Sequence, residues 1–348
     1  MNILGIETSC DETSAAVVRN GRVVLSNIVT SSLKEHRKYG GIIPEIASRR
    51  QLECINPAVS EALHKAGLGM KNIDAVAVTS HPGLIGSLLV GVSYARALSY
   101  AQNKTLIEVD HIQAHLYANC LTVDKPMPKL PALGLVVSGG HSSLFYIKSF
   151  KNYQLLGQTR DDAAGEAFDK VARLLGLEYP GGPVIDRIAK TGSQSRIKFS
   201  CAEFPDSYDF SFSGIKTAGL YYKKNHEKDT DFSLPNVAFA FQDSITNVLV
   251  KKCIDACRKK RIKSLLIGGG VAANSALRTK LSRAAEENKL DVYFPPMQLC
   301  LDNAAMIAGL AYQLSKKPSL PRLWRGLRRG REESLCKIRR SKSPLKSF

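Results

Sequence analysis

Two stretches of this chain follow one plan, and that plan restricts the fold more than any single motif does. Near the N-terminus, Ile3-Leu-Gly-Ile6 reads as a buried strand, Glu7-Thr-Ser-Cys-Asp-Glu-Thr13 as a polar turn and Ser14-Ala-Ala-Val-Val18 as the returning strand. The plan recurs at Leu133-Gly-Leu-Val-Val137, Ser138-Gly-Gly-His-Ser142 and Ser143-Leu-Phe-Tyr-Ile147. A hairpin of the same design heading each half predicts a duplicated α/β domain.

The segments that follow repeat a second design. Residues 46–65 read as a helix, 73–78 as a strand, 81–86 as a glycine turn and 87–100 as a helix of small and apolar residues. The later half offers a strand at 264–267, the turn Gly268-Gly-Gly270 and a helix over 274–288. Strand, glycine turn and helix start together bring backbone N–H groups to an anion. Pro126, Pro128 and Pro131 mark a linker near 125–129, so the expected domains are 1–125 and 130–317, with 318–348 as a basic tail.

At 348 residues, 44% of them hydrophobic, each half can build its own core. From Lys316 to Phe348 there are 12 Lys/Arg against 2 Asp/Glu, which carries +10 of the net +18. The remaining +8 still favours a polyanionic partner. The first residues lack a basic segment followed by an apolar one, and no apolar run is long enough to span a membrane. A cytoplasmic location is expected. The eight cysteines are scattered without a CxxC pair, as reduced thiols would be.

His111 and His115 are four residues apart, which on a helix puts both imidazoles on one face, as metal ligation requires. The residue after His111 is Ile112, where a zinc peptidase would carry its glutamate base, so peptide hydrolysis is poorly supported. Asp302, entering an apolar helix, is a candidate third ligand. A His/His/Asp set suits one divalent ion, Fe(II) in preference and Zn(II) as the second choice. Asp11 and Glu12 lie in the first hairpin turn, either as proton-transfer groups or as turn-capping acids. Residues 161–170 open a helix with acids, and Asp169 lies too far inside it for capping. Asp186 follows a glycine turn and suits ribose hydroxyls; residues 209–217 read equally as an edge strand or a substrate contact.

Taken in order, these segments resemble one family over residues 1–315. They are Gly5 to Thr13, Tyr39 to Arg49, Pro82 to Gly91, His111 with His115, Val137 to His141, Asp161 to Lys170, Asp209 to Thr217, Gly268 to Asn274, and Asp302 to Ala304. The family is the tRNA N6-adenosine threonylcarbamoyltransferases of the bacterial TsaD type. The resemblance implies an actin/hexokinase/Hsp70-like fold of two duplicated lobes around a cleft. It implies transfer of threonylcarbamoyl from threonylcarbamoyl-adenylate to N6 of adenosine 37, in tRNAs reading codons that begin with A. It further implies His111, His115 and Asp302 as holders of the ion. Val136, Val137, Ser138, Gly139, Gly140, Asp169, Gly182, Asp186 and Asn274 would bind the adenylate. Asp11, with Glu12 beside it, is the candidate for the proton leaving N6. An inactive paralogous subunit and a small ATPase are the implied partners.

Two departures stand out. The family usually has a His near position 51, where this chain has Arg50-Gln51, and the usual ending is replaced by the basic tail. The competing readings are a metalloprotease of the glycoprotease type, a sugar kinase or ATPase on the same fold, and a non-catalytic tRNA-binding scaffold. The kinase would need a magnesium site of carboxylates and water, which a two-histidine set does not offer.

Overall fold

The computed structural model describes residues 1–193, 197–202, 204–230 and 232–315. The basic tail and Cys336 therefore lie outside the described residues. The first lobe contains β1 (Asn2–Glu7), β2 (Glu12–Arg19), β3 (Val23–Ser31), α1 (Leu33–Arg37), α2 (Pro44–Lys65), β4 (Ala75–His81), α3 (Ile85–Ala101), β5 (Thr105–Asp110) and α4 (His111–Tyr117). The second contains β6 (Ala132–Val137), β7 (Ser142–Ser149), β8 (Asn152–Gln158), α5 (Ala164–Leu174), α6 (Gly181–Ala189), α7 (Ser213–His226) and α8 (Leu234–Lys260). It continues with β9 (Ser264–Gly268), α9 (Ser275–Glu287), β10 (Asp291–Tyr293) and α10 (Ala304–Leu314).

The two sheets have the same topology. Their strand orders are β3-β2-β1-β4-β5 and β8-β7-β6-β9-β10. In each, the central strand pairs antiparallel with the next strand in sequence and parallel with the one after the crossover. The central strands β1 and β6 are covered on both faces, so they read as continuous apolar runs without alternation. Strands β3 and β8, the third in each sheet, lie outside the expected hairpins. Their alternating, half-exposed composition carries no such run.

The helices that end each half cross between the sheets. Helix α10 is apolar on all sides, so it must be buried all round. It packs on β1 and β2 of the first sheet and against α4, whereas α4 touches β6 and β9 of the second. Ile3, Val109, Leu116, Tyr117, Val136, Leu266, Met306 and Leu310 form one continuous core from both halves. The sequence segment 130–317 thus sends its last helix to the first sheet. This exchange places the start of α10 beside the start of α4.

Acidic residues at 161–162 do not cap the helix they precede. Helix α5 begins with Ala163 as N-cap, and Glu166 accepts from the Ala163 N–H. Asp161 instead accepts from the Phe212 and Ser213 N–H groups and the Ser211 and Ser213 hydroxyls, so it serves α7. Residues 209–217 accordingly make only one β-bridge, Phe210 to Thr159, before α7 begins. Burial raises the Asp161 pKa, but those hydrogen bonds outweigh it and hold the carboxyl below its usual range. Asp161→Ala should lower stability by about 1 kcal/mol, the worth of a helix cap. The contribution is present above the unfolded carboxyl's pKa and is lost as pH falls through the lower folded value. Urea unfolding at neutral and acid pH measures both.

Candidate metal centre

Helix α4 starts at His111 because Asp110 caps it, accepting the Gln113 N–H at 2.8 Å. Both imidazoles then project from one face, with ring centroids 4.6 Å apart and edges crossed at 81°. Asp302 is held in place by its neighbour: Asn303 caps α10 through Met306 and donates its amide to the Leu299 and Leu301 carbonyls. Asp302 Oδ1 lies 3.1 Å from His115 Nε2 and 3.5 Å from His111 Nε2. One ligand atom from each of the three residues falls within 4.8 Å of the others. Sequence reasoning selected these three, and the structure brings them together.

Behind them stands a residue the sequence reading passed over. Glu7, at the end of β1, is fully buried and accepts from Ser9 N–H, from Thr79 Oγ1 at 2.6 Å and from His111 Nδ1 at 2.9 Å. By taking the Nδ1 proton it leaves the Nε2 lone pair facing Asp302, the usual carboxylate–histidine support of a metal ligand. Burial lowers the His111 pKa, yet Glu7 and Asp302 outweigh it and raise it to about 9. Asp302 is pulled down against burial by the two histidines. The pocket is thus built around one positive charge, which a divalent ion supplies by displacing the proton. Two imidazoles and a carboxylate with an open side fit Fe(II) or Zn(II).

His141, at the far end of the β6–β7 turn, is the second residue missed. Burial and the neighbouring His111 and His115 push its pKa down to about 4, so it stays neutral. Its signal in the sequence is its position in the turn matching that of Asp11 and Glu12.

The turn carrying Asp11 and Glu12 is tied on three sides. Thr8 donates to the Ser87 carbonyl of α3, and Ser32 donates to the Asp11 carbonyl at 2.7 Å. Gln51, fully buried in α2, donates its amide to the Cys10 and Glu12 carbonyls at 2.8 and 3.2 Å. Position 51, the departure noted above, therefore holds the turn. Gln51→Leu should cost about 2–3 kcal/mol, since the carbonyls lose their donor in a buried place. A thermal melt compared with the parent chain checks it. Burial and the Asp302 charge raise the Asp11 pKa. Burial and Asp11 raise that of Glu12 to about 7. Glu12 accepts from Ser31 at 2.8 Å through one oxygen; the other is buried without a partner.

The glycine turns divide into two kinds. A Cβ at Gly83 would come within 2.5 Å of the Ser9 carbonyl, so the turn before α3 packs on the first hairpin and is closed to an anion. Gly269 has φ +87° and lies against the Val137 carbonyl, which only glycine tolerates. Gly139 and Gly140 face open space. The start of α9 is answered by the chain's own groups. Asn274 caps Leu277 and donates to Gln242, and Asp186 accepts from the Ser275 N–H and hydroxyl. Asp169 accepts the Gly181 N–H at 2.7 Å, so it caps α6, next to Gly182. Val136 and Val137 are wholly buried in β6.

The sequence profile of "tRNA N6-adenosine threonylcarbamoyltransferase" (TsaD) matches residues 23–309. A protein of that name from Clostridium botulinum (strain 657 / Type Ba4) is 51% identical over 314 residues, covering 90% of this chain and 92% of that protein. Its namesake from Symbiobacterium thermophilum is 51% identical over 312 residues, covering 90% and 91%. Among solved structures, component A of the Acidaminococcus fermentans (R)-2-hydroxyglutaryl-CoA dehydratase superposes with TM-score 0.54 at 14% identity, over 91% of this chain and all of that one. Full-length HypF gives 0.58 at 14%, over 90% of this chain and 46% of that one. These distant likenesses concern the two-lobed actin/hexokinase/Hsp70-like fold alone. The sequence matches span both lobes, and with them the chain belongs to the tRNA N6-adenosine threonylcarbamoyltransferases, transferases that form threonylcarbamoyladenosine in tRNA.

Proposed function

We propose that the lobes hold threonylcarbamoyl-adenylate and one divalent ion while adenosine 37 of a tRNA reading codons that begin with A enters the cleft. The observation that carries this reading is the meeting of His111, His115 and Asp302 where α4 and α10 cross, with Glu7 fixing the first ligand. In the transfer, the N6–carbamoyl carbon bond forms and the bond from that carbon to the adenylate's phosphate oxygen breaks. AMP leaves with the electron pair. Asp11, with Glu12 beside it, takes the proton from N6. A bound ion, Fe(II) in preference to Zn(II), would polarise the carbamoyl carbonyl. The Ser138–Gly140 turn, Val136 and Val137 through their backbone, and Asp169, Gly182, Asp186 and Asn274 form the adenylate wall.

The inactive paralogous subunit and small ATPase are proposed as working partners. Leu52 on α2 and Ile85 and Leu89 on α3 are 65%, 86% and 65% exposed, an apolar face that supports a docked partner on the first lobe. No described helix is long and apolar enough to cross a membrane, and the cytoplasm is the proposed location. The test incubates the chain and its partners with threonylcarbamoyl-adenylate and unmodified tRNA, followed by nucleoside mass spectrometry. Modified adenosine at position 37 is the expected result. Its absence, together with ATP-dependent phosphorylation of a sugar, would overturn the reading in favour of a kinase.

A further inference from the structure

A cavity of about 380 Å³ opens between the lobes, lined from the first by Arg37 and Gly40 and from the second by Asp169, Arg173, Glu178 and Tyr179. Arg37 and Arg173 are exposed, and neither forms a hydrogen bond or ion pair with any described residue. Lys34 and Lys38 extend the positive rim, and Lys38 Nζ stands 5.0 Å from the centre of the Tyr39 ring, itself 51% exposed. The acids facing this rim are fewer. Asp169 is engaged by the Gly181 N–H, Glu35 pairs with Arg50, and Glu178 is left.

This rim is mechanically joined to the reaction turn. Buried His36 in α1 accepts the Ile43 N–H at Nδ1 and donates from Nε2 to Ser32 Oγ, whose own proton goes to the Asp11 carbonyl. Arg37 and Tyr39 therefore sit on a segment pinned at both ends and registered to Asp11. On the opposite wall, the Tyr179 phenol is raised by burial and by the charges of Asp169 and Asp11, which places it near the same turn.

We propose that this cavity and rim seat the RNA beside the adenosine to be modified. Arg37 and Arg173 together grip one backbone phosphate, and the Tyr39 ring stacks on an unpaired base next to it. Guanidinium pairs from two sides match a phosphate, and unstacked loop bases are commonly taken by aromatic rings. Both arginines and the ring are exposed, which suits a macromolecular strand more than an enclosed small molecule. The inference rests on the tRNA-transferase reading above.

The test compares the parent chain with an Arg37→Ala/Arg173→Ala double variant, partners present, in steady-state transfer and in tRNA binding without donor. Equal melting temperatures check that the exposed substitutions leave the fold intact. The expected result is a KM for tRNA raised about tenfold or more, with the donor KM unchanged. The slope of log affinity against log salt should fall by about 2, one per lost phosphate-facing cation. Tyr39→Ala should weaken tRNA binding about fivefold or more, and Tyr39→Trp should retain it. Unchanged tRNA affinity and salt slope would overturn the proposal. So would a raised donor KM with an unaltered tRNA KM, which assigns the cavity to the small substrate. If the parent chain modifies no tRNA, the parent reading fails, and the donor-free binding comparison still decides this one.

Discussion

An Asp302→Ala chain should purify without a stoichiometric metal ion and form modified adenosine at least about a hundredfold more slowly than the parent. The size follows from what the carboxylate does. It is the only charged member of the His111, His115 and Asp302 set, and its Oδ1 faces both Nε2 atoms within 3.5 Å. Without it, two neutral imidazoles hold a divalent ion through one helix face, and the stabilisation of charge on the carbamoyl oxygen is lost with the ion. The overall fold should persist, because Asn303 keeps capping α10 and the α4–α10 core does not involve the carboxylate. Metal content by mass spectrometry and single-turnover transfer give the two readouts. Full metal occupancy in the variant would show that the ion is held elsewhere.

The second large effect concerns Glu7, which touches no proposed substrate atom. Glu7→Gln replaces one acceptor oxygen by an NH₂ group where three donors converge: Ser9 N–H, Thr79 Oγ1 and His111 Nδ1. One of them must then face another donor in a fully buried place, at a cost of about 1–3 kcal/mol. The same change frees the His111 ring to turn or to adopt its other tautomer. Metal affinity should fall about ten- to a hundredfold, the usual consequence of losing such support. Metal titration followed by a competing chelator, alongside urea unfolding, separates the two effects. A destabilised chain with undiminished metal affinity would make Glu7 a purely structural carboxylate.

These two residues also mark how much the sequence could reveal. Asp302 and the histidine pair were legible because ligand chemistry restricts residue type and helical spacing restricts position. The duplicated hairpins were legible because each central strand, buried on both faces, leaves an unbroken apolar run. Glu7 was not legible: in the sequence it is one more acid in a polar turn, and only the packing of β1 against β4 and α4 turns it inward. Asp161 misled for the opposite reason. An acid ahead of a helix looks like its cap, whereas tertiary contact gives it to α7, fifty residues on. The exchange of α10 into the first lobe was equally hidden, since an all-apolar helix states that it is buried and not what buries it. The glycine turns looked alike in sequence. Gly83 meets a backbone carbonyl and Gly139 meets open space, a difference set by elements far along the chain.

The account's central claim is that a single ion in the His111, His115 and Asp302 set is what transfer depends on. The most direct measurement strips the chain with a chelator, restores Fe(II) or Zn(II) in steps, and follows threonylcarbamoyladenosine formed per chain against metal bound per chain. The account predicts negligible transfer by the stripped protein and a rise that saturates at one ion. Undiminished transfer by metal-free protein would contradict it.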